Sequence, residues 1–378
     1  MIINEDSTNQ GHISEEQLFS QISAAAFASD QKGQFPHFEF DLLRASGLLT
    51  TTLPGQNLSL DLPNTPGLLQ LLKRVGRASL PVGRIYEGHI NALLLISLYA
   101  NAHQAQRWYE DAHTHLFGVW NTQDLDGLEI QDLGCKRYRL SGSKTFCSGA
   151  SWIGRPLVTG KLISSDKSGW QMCIIPTEKL EPILADSSFW NPLGMQASVS
   201  FRMNFTGIEI DEEDLLGSPD DYYRQPHFGA GALRFAAVQL GGAEAILEET
   251  HRFLNDAKRT EDPFQQFRVA EISCLTETGN LWINQAAKHY DQWLHMPGET
   301  EKLLAYANMV RTKIEDICLR SMQLAERSVG SRGLMRPGVL ERMHRDLTTY
   351  LRQPATDAVQ ASVGKYVLNQ INTNGLWI

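Results

Sequence analysis

The spacing of apolar residues changes twice along the 378-residue chain, and this change constrains the fold more than any other feature. The first part carries helical patterns, with a capping-type start at Ser14 and a proline-broken loop around residues 54–66. The middle part contains short strands separated by Gly, Pro, Asp and Ser. In the last part, apolar residues recur every three or four positions, as in bundle helices. We therefore predict a mostly α protein with a central β domain, divided into domains at residues 1–115, 116–226 and 227–378.

Composition and charge exclude several classes of function. Hydrophobic residues make up 42% and charged residues 20% of the chain, which is typical of a soluble globular protein. The net charge of −9 argues against a nucleic-acid partner, because such a partner needs basic patches. The longest apolar run, residues 92–100, is too short to span a bilayer, and the polar residues 1–11 do not form a signal peptide. The five cysteines have no CxxC spacing, so we expect a cytoplasmic protein without a metal site.

Four short motifs follow one another along the chain. Residues 140–149 read LSGSKTFCSG, residues 191–198 read NPLGMQAS, and residues 330–333 read GSRG. Near the C-terminus, Arg345 and Asp346 are followed by Tyr350 and then by the sequence PAT at residues 354–356. In their order and spacing these motifs resemble those of the acyl-CoA dehydrogenase superfamily, and the resemblance covers nearly the whole chain. It implies a helical N-terminal domain, a middle β-barrel and a C-terminal four-helix bundle, with FAD, or alternatively FMN, as cofactor.

The resemblance also assigns residues to the flavin ring. Phe146 takes the position of the aromatic residue that packs against the ring, and Ser148 that of the group bonding the ring near N5. These roles are physically sensible, because an aromatic face stacks on a planar ring and a hydroxyl both donates and accepts. Trp120, Asn121 and Thr122 fall in the loop that contacts the pyrimidine edge.

Four further residues correspond to contacts with the rest of the cofactor. Arg259 and Phe264 match residues that face the FAD diphosphate of a neighbouring subunit, and the forked donors of Arg suit phosphate. Thr356 and Ala358 match residues beside the adenosine or phosphate arm. Because this arm crosses a subunit interface in the family, the resemblance implies a homodimer or homotetramer.

The usual catalytic base is missing. Many family members carry a Glu where this chain has Pro354, and others carry it where this chain has Leu233. Proline offers neither a side-chain base nor a backbone N–H. The candidates for a replacement are His227, Ser148, Glu87 and His89. Glu87 and His89 lie two residues apart and so point about 200° apart on a helix, which prevents both from facing one pocket.

Three hypotheses remain open. The chain could be a flavin-dependent dehydrogenase that oxidises a CH–CH group of an acyl thioester or related molecule and passes electrons to a transfer protein. It could equally be a two-component monooxygenase that receives reduced flavin from a reductase and acts on a small metabolite. In such enzymes a Ser, His or Asn assists beside the flavin, a role that Ser148 could fill. A catalytically inactive partner subunit ranks third, because Phe146 and Ser148 are retained.

Overall fold

The computed structural model describes residues 14–165, 167–177, 183–352 and 355–378. Ser14 caps the first described helix, and its side chain and that of Gln17 form a reciprocal capping box, as the sequence predicts. From residue 14 onward, the N-terminal region contains five helices: α1 (Glu15–Lys32), α2 (His37–Ala45), α3 (Thr65–Ala78), α4 (Leu80–Tyr99) and α5 (Ala102–Asp111).

In the middle region, the described residues form one mixed sheet of nine strands. The main path of paired strands runs β6-β7-β3-β2-β4-β5-β9, while β1 pairs with β4 and β8 pairs with β3. Strands β1 and β2 run parallel to β4, and the other pairs are antiparallel. The strands are β1 (Phe117–Trp120), β2 (Gln123–Gly134), β3 (Arg137–Cys147), β4 (Arg155–Ile163), β5 (Ser168–Ile174), β6 (Leu184–Asp186), β7 (Phe201–Asn204), β8 (Glu209–Asp211) and β9 (Leu215–Leu216).

Long helices return after the sheet, so the predicted order of helices, strands and helices is confirmed. Helix α7 packs against α3, α8, α9 and α10. The crossing of α3 and α7 requires glycine on both helices, because a Cβ at Gly76 would lie 2.3 Å from the carbonyl oxygen of Val238 and one at Gly241 2.1 Å from that of Lys73. The helices are α6 (His227–Ala230), α7 (Ala232–Asp256), α8 (Pro263–Trp293), α9 (Thr300–Gly333), α10 (Val339–Tyr350) and α11 (Thr356–Leu368).

Two further expectations from the sequence concern membranes and metals. Within the part of the chain that the structure describes, no helix is long and apolar enough to cross a bilayer. The same described residues bring together no group of three or more His, Cys, Asp or Glu side chains that could hold a metal ion.

Candidate functional site

A cavity of about 700 Å³, here called the main cavity, lies between the sheet and the C-terminal helices. Its volume falls within the range of about 300–1,000 Å³ that is typical of sites for drug-sized ligands. Segments far apart in sequence form its walls: α4, the loop after β1, the end of β3, α6, α7, α9 and the ends of α10 and α11. The fold therefore brings the predicted flavin motif on β3 against helices of the C-terminal region.

Phe146 forms an aromatic wall of the main cavity. It lies in a register shift between β3 and β7 and has a φ of +55°, so the chain turns its ring away from the sheet. The ring meets Phe189 and Trp190 edge-on at centroid distances of 5.2 and 6.1 Å, yet the residue stays 54% exposed. A phenylalanine held in this strained backbone conformation and facing a cavity is available for a planar ligand.

Three serines form a chain of hydroxyl groups at the cavity wall. The Oγ of Ser148 lies 3.0 Å from that of Ser200, which lies 2.8 Å from that of Ser198. Ser198 and Ser200 are buried, whereas Ser148 is half-buried and lines the cavity with them. Since each hydroxyl can donate and accept, the two buried serines orient the hydroxyl of Ser148.

The loop after β1 brings Asn121 and Thr122, for which the sequence predicts contact with the pyrimidine edge of a flavin, to the main cavity. Trp120 does not line the cavity. It is 2% exposed, and its Nε1 donates to the main-chain oxygen of Ser148 over 3.0 Å. Trp120 therefore supports the Ser148 backbone from behind rather than facing the cavity.

Glu87 is the one carboxylate among the described residues that line the main cavity. The guanidinium of Arg84 donates to its Oε2 over 2.5 Å, and the amide of Asn91 donates to its Oε1. The Nε of Arg234 in turn donates to the amide oxygen of Asn91. Both carboxylate oxygens of Glu87 are thus engaged within a four-residue polar network.

Two tyrosines complete this side of the main cavity. Burial raises the pKa of Tyr222 and Tyr350, and the charge of Glu87 raises both further. Both phenols therefore remain protonated near neutral pH.

The other two candidate bases lie elsewhere. His89 is fully buried, with its Nε2 donating to the carbonyl of Leu49 over 2.7 Å and its Nδ1 accepting from the N–H of Phe117 over 3.1 Å. Burial lowers the pKa of His89 to about 4. His227 lines a second cavity, of about 390 Å³, which also contains Leu233. The structure thus brings Ser148 and Glu87 to one cavity, but neither histidine lines it, and Pro354 lies outside the described residues.

The residues expected along the outer part of the cofactor lie away from the main cavity in this single chain. Arg259 pairs with Asp262 over 2.9 Å at the start of α8. Phe264, in the first turn of that helix, is 72% exposed. Thr356 and Ala358 are in the first turn of α11, beside the cavity-lining Val359.

The chemistry of the main cavity fits a flavin. Aromatic side chains suit its planar ring, and amide and hydroxyl groups suit its polar edge. Arg311 and Arg352 line the cavity where α9 meets α11, and guanidinium groups suit a phosphate. The sequence analysis missed these arginines and Trp190. Arg311 directly follows Val310, a member of the apolar stripe of α9, but only tertiary packing brings it to the cavity.

Comparison with known proteins finds one fold shared by monooxygenases and dehydrogenases. Residues 222–362 match the family model described as acyl-CoA dehydrogenase, C-terminal domain. A dibenzothiophene monooxygenase of Rhodococcus erythropolis is 23% identical, with coverage of 93% of this chain and 91% of the relative. A cyclohex-1-ene-1-carbonyl-CoA dehydrogenase of Geobacter metallireducens is 22% identical, with coverage of 89% and 93%. The crystal structure of FMN-bound TdsC from Paenibacillus sp. A11-2 matches with a TM-score of 0.86 at 20% identity, covering 96% of this chain and 98% of that one.

Proposed function

Because the chain belongs to the acyl-CoA dehydrogenase superfamily, we propose that it is a flavin-dependent oxidoreductase, and more specifically a monooxygenase that uses reduced FMN. Its substrate is a small, largely apolar molecule that binds in the main cavity beside the flavin. A separate flavin reductase delivers the reduced cofactor. The chain works as a homo-oligomer, in which Arg259 and Phe264 reach the cofactor site of a neighbouring subunit.

The main support for monooxygenation is that the carboxylate of Glu87 is already engaged in hydrogen bonds. Oxidation of an acyl thioester at a CH–CH group requires a base that removes the α-proton. Among the described residues that line the cavity, Glu87 is the one carboxylate, and both its oxygens already accept hydrogen bonds from Arg84 and Asn91. Oxygen transfer to a sulfur atom or an aromatic ring needs no such base, so monooxygenation suits this cavity better.

The residues of the chain have distinct roles in this reaction. When bound, reduced flavin would supply the two electrons with which dioxygen gives one atom to the substrate and the other to water. Phe146 and Trp190 bind planar groups against the cavity wall, and the hydroxyl of Ser148, which shares a hydrogen bond with that of Ser200, forms a hydrogen bond to the bound molecule. The protonated phenols of Tyr222 and Tyr350 are further hydrogen-bond donors. The aromatic side chains of Phe228 and Phe235 exclude water from the reacting groups.

The choice of FMN over FAD rests on two observations. The structural neighbour TdsC is FMN-bound. Arg311 and Arg352 line the main cavity of the same chain, and two guanidinium groups suit a single phosphate.

Oxygen labelling tests the proposal. The purified protein is supplied with FMN, a flavin reductase, NADH and ¹⁸O₂, and is offered a panel that includes dibenzothiophene and indole. We expect a product two mass units heavier than that formed in ¹⁶O₂. Unlabelled products, together with anaerobic bleaching of bound flavin by an acyl-CoA, would instead identify a dehydrogenase.

A further inference from the structure

The main cavity and the second cavity lie along one groove between α4 and the α6–α7 segment. On α4, Glu87 and Asn91 line the main cavity, and one turn later Leu94 and Leu98 line the second. On the opposite side, Ala232 lines the main cavity. The next two residues of α7, 233 and 234, line the second. Because residues three and four apart share a helix face, the groove is continuous along α4.

A hydrogen bond crosses this groove between the two cavities. The Nε of Arg234 donates to the amide oxygen of Asn91, and the guanidinium is also hydrogen-bonded to the hydroxyl of Tyr290, which lines the second cavity. Asn91 is itself held by Glu87. The contact between Asn91 and Arg234, here called the Asn91/Arg234 bridge, is therefore anchored on both sides of the groove.

The second cavity is suited to an apolar chain. Nine of the described residues that line it are leucines, among them Leu94, Leu98 and Leu233. An apolar tail that reached it would gain about fourfold in affinity for each methylene it buried. Arg234 is half-buried, and no carboxylate among the described residues lies within ion-pair distance of it. The side chain that blocks the way is thus a charged group held by neutral partners.

We propose that the Asn91/Arg234 bridge determines substrate specificity by closing the main cavity towards the second cavity and so limiting the length of the substrate's apolar part. The inference rests on the proposed function in one respect, namely that the main cavity holds the substrate. With the bridge closed, the main cavity admits a compact molecule beside the flavin. With the bridge removed, a linear tail extends along α4 between the leucines.

Binding of a homologous series tests this inference without requiring turnover. Affinities of 4-alkylphenols, from methyl to octyl, are measured by isothermal titration calorimetry on the wild type, Arg234→Ala and Asn91→Ala proteins. In the wild type we expect affinity to stop rising once the tail meets the bridge. In either variant it should rise by about fourfold per methylene over at least three more methylenes. We call the tail length at which affinity stops rising the cut-off. The same cut-off in all three proteins would overturn the inference.

Two controls separate the bridge from general effects. Arg252→Ala removes an exposed arginine from the same helix and should leave the cut-off unchanged. Leu98→Trp fills the second cavity, so in the Arg234→Ala background it should restore the wild-type cut-off while short alkylphenols bind as before. Continued binding of long tails in this double variant would exclude the second cavity as their site. If oxygen labelling fails but the cut-off moves, the proposed reaction is wrong and the bridge stands.

Discussion

The side-chain nitrogen of Lys144 lies 3.1 Å from the main-chain oxygen of Asn121 and 3.2 Å from the hydroxyl of Thr159. Lys144 is fully buried, and burial lowers its pKa to about 7. The ring centroid of Trp170 lies 5.2 Å from the same nitrogen. A buried amine thus fixes the loop that brings Asn121 to the main cavity.

Lys144 should make stability depend on pH in the alkaline range. Between pH 7 and 10.5 the folded state binds fewer protons at this group than the unfolded state, so the free energy of unfolding rises with pH. The slope from this group approaches about 1.4 kcal/mol per pH unit, and below pH 7 it vanishes. The free energy of unfolding, measured with urea at several pH values between 7 and 9.5, should rise less steeply with pH for Lys144→Met than for the wild type. Lys161→Met, at an exposed lysine on β4, is the control. If the free energy of unfolding rose equally steeply with pH in Lys144→Met and in the wild type, Lys144 would not be the group responsible.

The sequence predicted the parts of the site that lie close together along the chain. Phe146 and Ser148 belong to one motif, and the structure brings both to the main cavity. Part of the polar network around Glu87 could also be predicted from the sequence, because Arg84, Glu87 and Asn91 stand at positions i, i+3 and i+7 of one helix. Their common face follows from helix geometry alone.

Tertiary packing decided the rest of the site. His227 and Phe228 are adjacent, yet His227 lines the second cavity and Phe228 the main cavity. Which cavity a helix face meets depends on the neighbouring helices, and the sequence spacing of α6 carries no such information. Arg345 and Asp346 are also adjacent but have different partners: the guanidinium of Arg345 pairs with Asp30 of α1 over 2.7 Å and with Glu341, whereas the carboxylate of Asp346 accepts from the N–H of Met195.

Trp120 should influence cofactor affinity without touching the cofactor. Trp120→Phe removes the hydrogen bond to the main-chain oxygen of Ser148, and such a bond contributes about 0.5–1.5 kcal/mol. We expect FMN to bind about two- to tenfold more weakly, measured by quenching of FMN fluorescence. Trp108→Phe, at another buried tryptophan outside the cavity, should lower thermal stability and leave FMN affinity unchanged. Equal loss of FMN affinity in both variants would indicate a general packing effect.

Phe146 should matter for the ligand and little for the fold. Its ring is half exposed and its φ of +55° is strained, so Phe146→Ala removes little buried area. An aromatic pair contributes about 0.5–1.5 kcal/mol beyond area burial, and loss of the stacked area adds to this. We expect FMN affinity to fall at least tenfold while the melting temperature of the cofactor-free protein changes by less than about 2 °C, since surface substitutions stay within about 0.5 kcal/mol. Unchanged FMN affinity would show that the ring does not contact the flavin.

The substitution Glu87→Gln distinguishes dehydrogenation from monooxygenation, once its effect on stability is known. Glu87→Gln leaves the charge of Arg84 without its ionic partner, and breaking a buried pair costs about 3–5 kcal/mol. Because the Arg84 side chain is 28% exposed, we expect a cost below that range, about 2–3 kcal/mol. Glu249→Gln, in the more exposed i,i+3 pair with Arg252, is the control and should cost less than about 1 kcal/mol.

The rate of product formation in Glu87→Gln then separates a structural carboxylate from a catalytic one. If Glu87 only holds Arg84 and Asn91, turnover should fall less than about tenfold and follow the loss of folded protein. Removal of a general base lowers turnover by about 10²–10⁴. A loss of that size, measured at a temperature where the variant is still fully folded, would mean that Glu87 leaves Arg84 during the reaction and removes a proton. The dehydrogenase assignment would then replace the monooxygenase one.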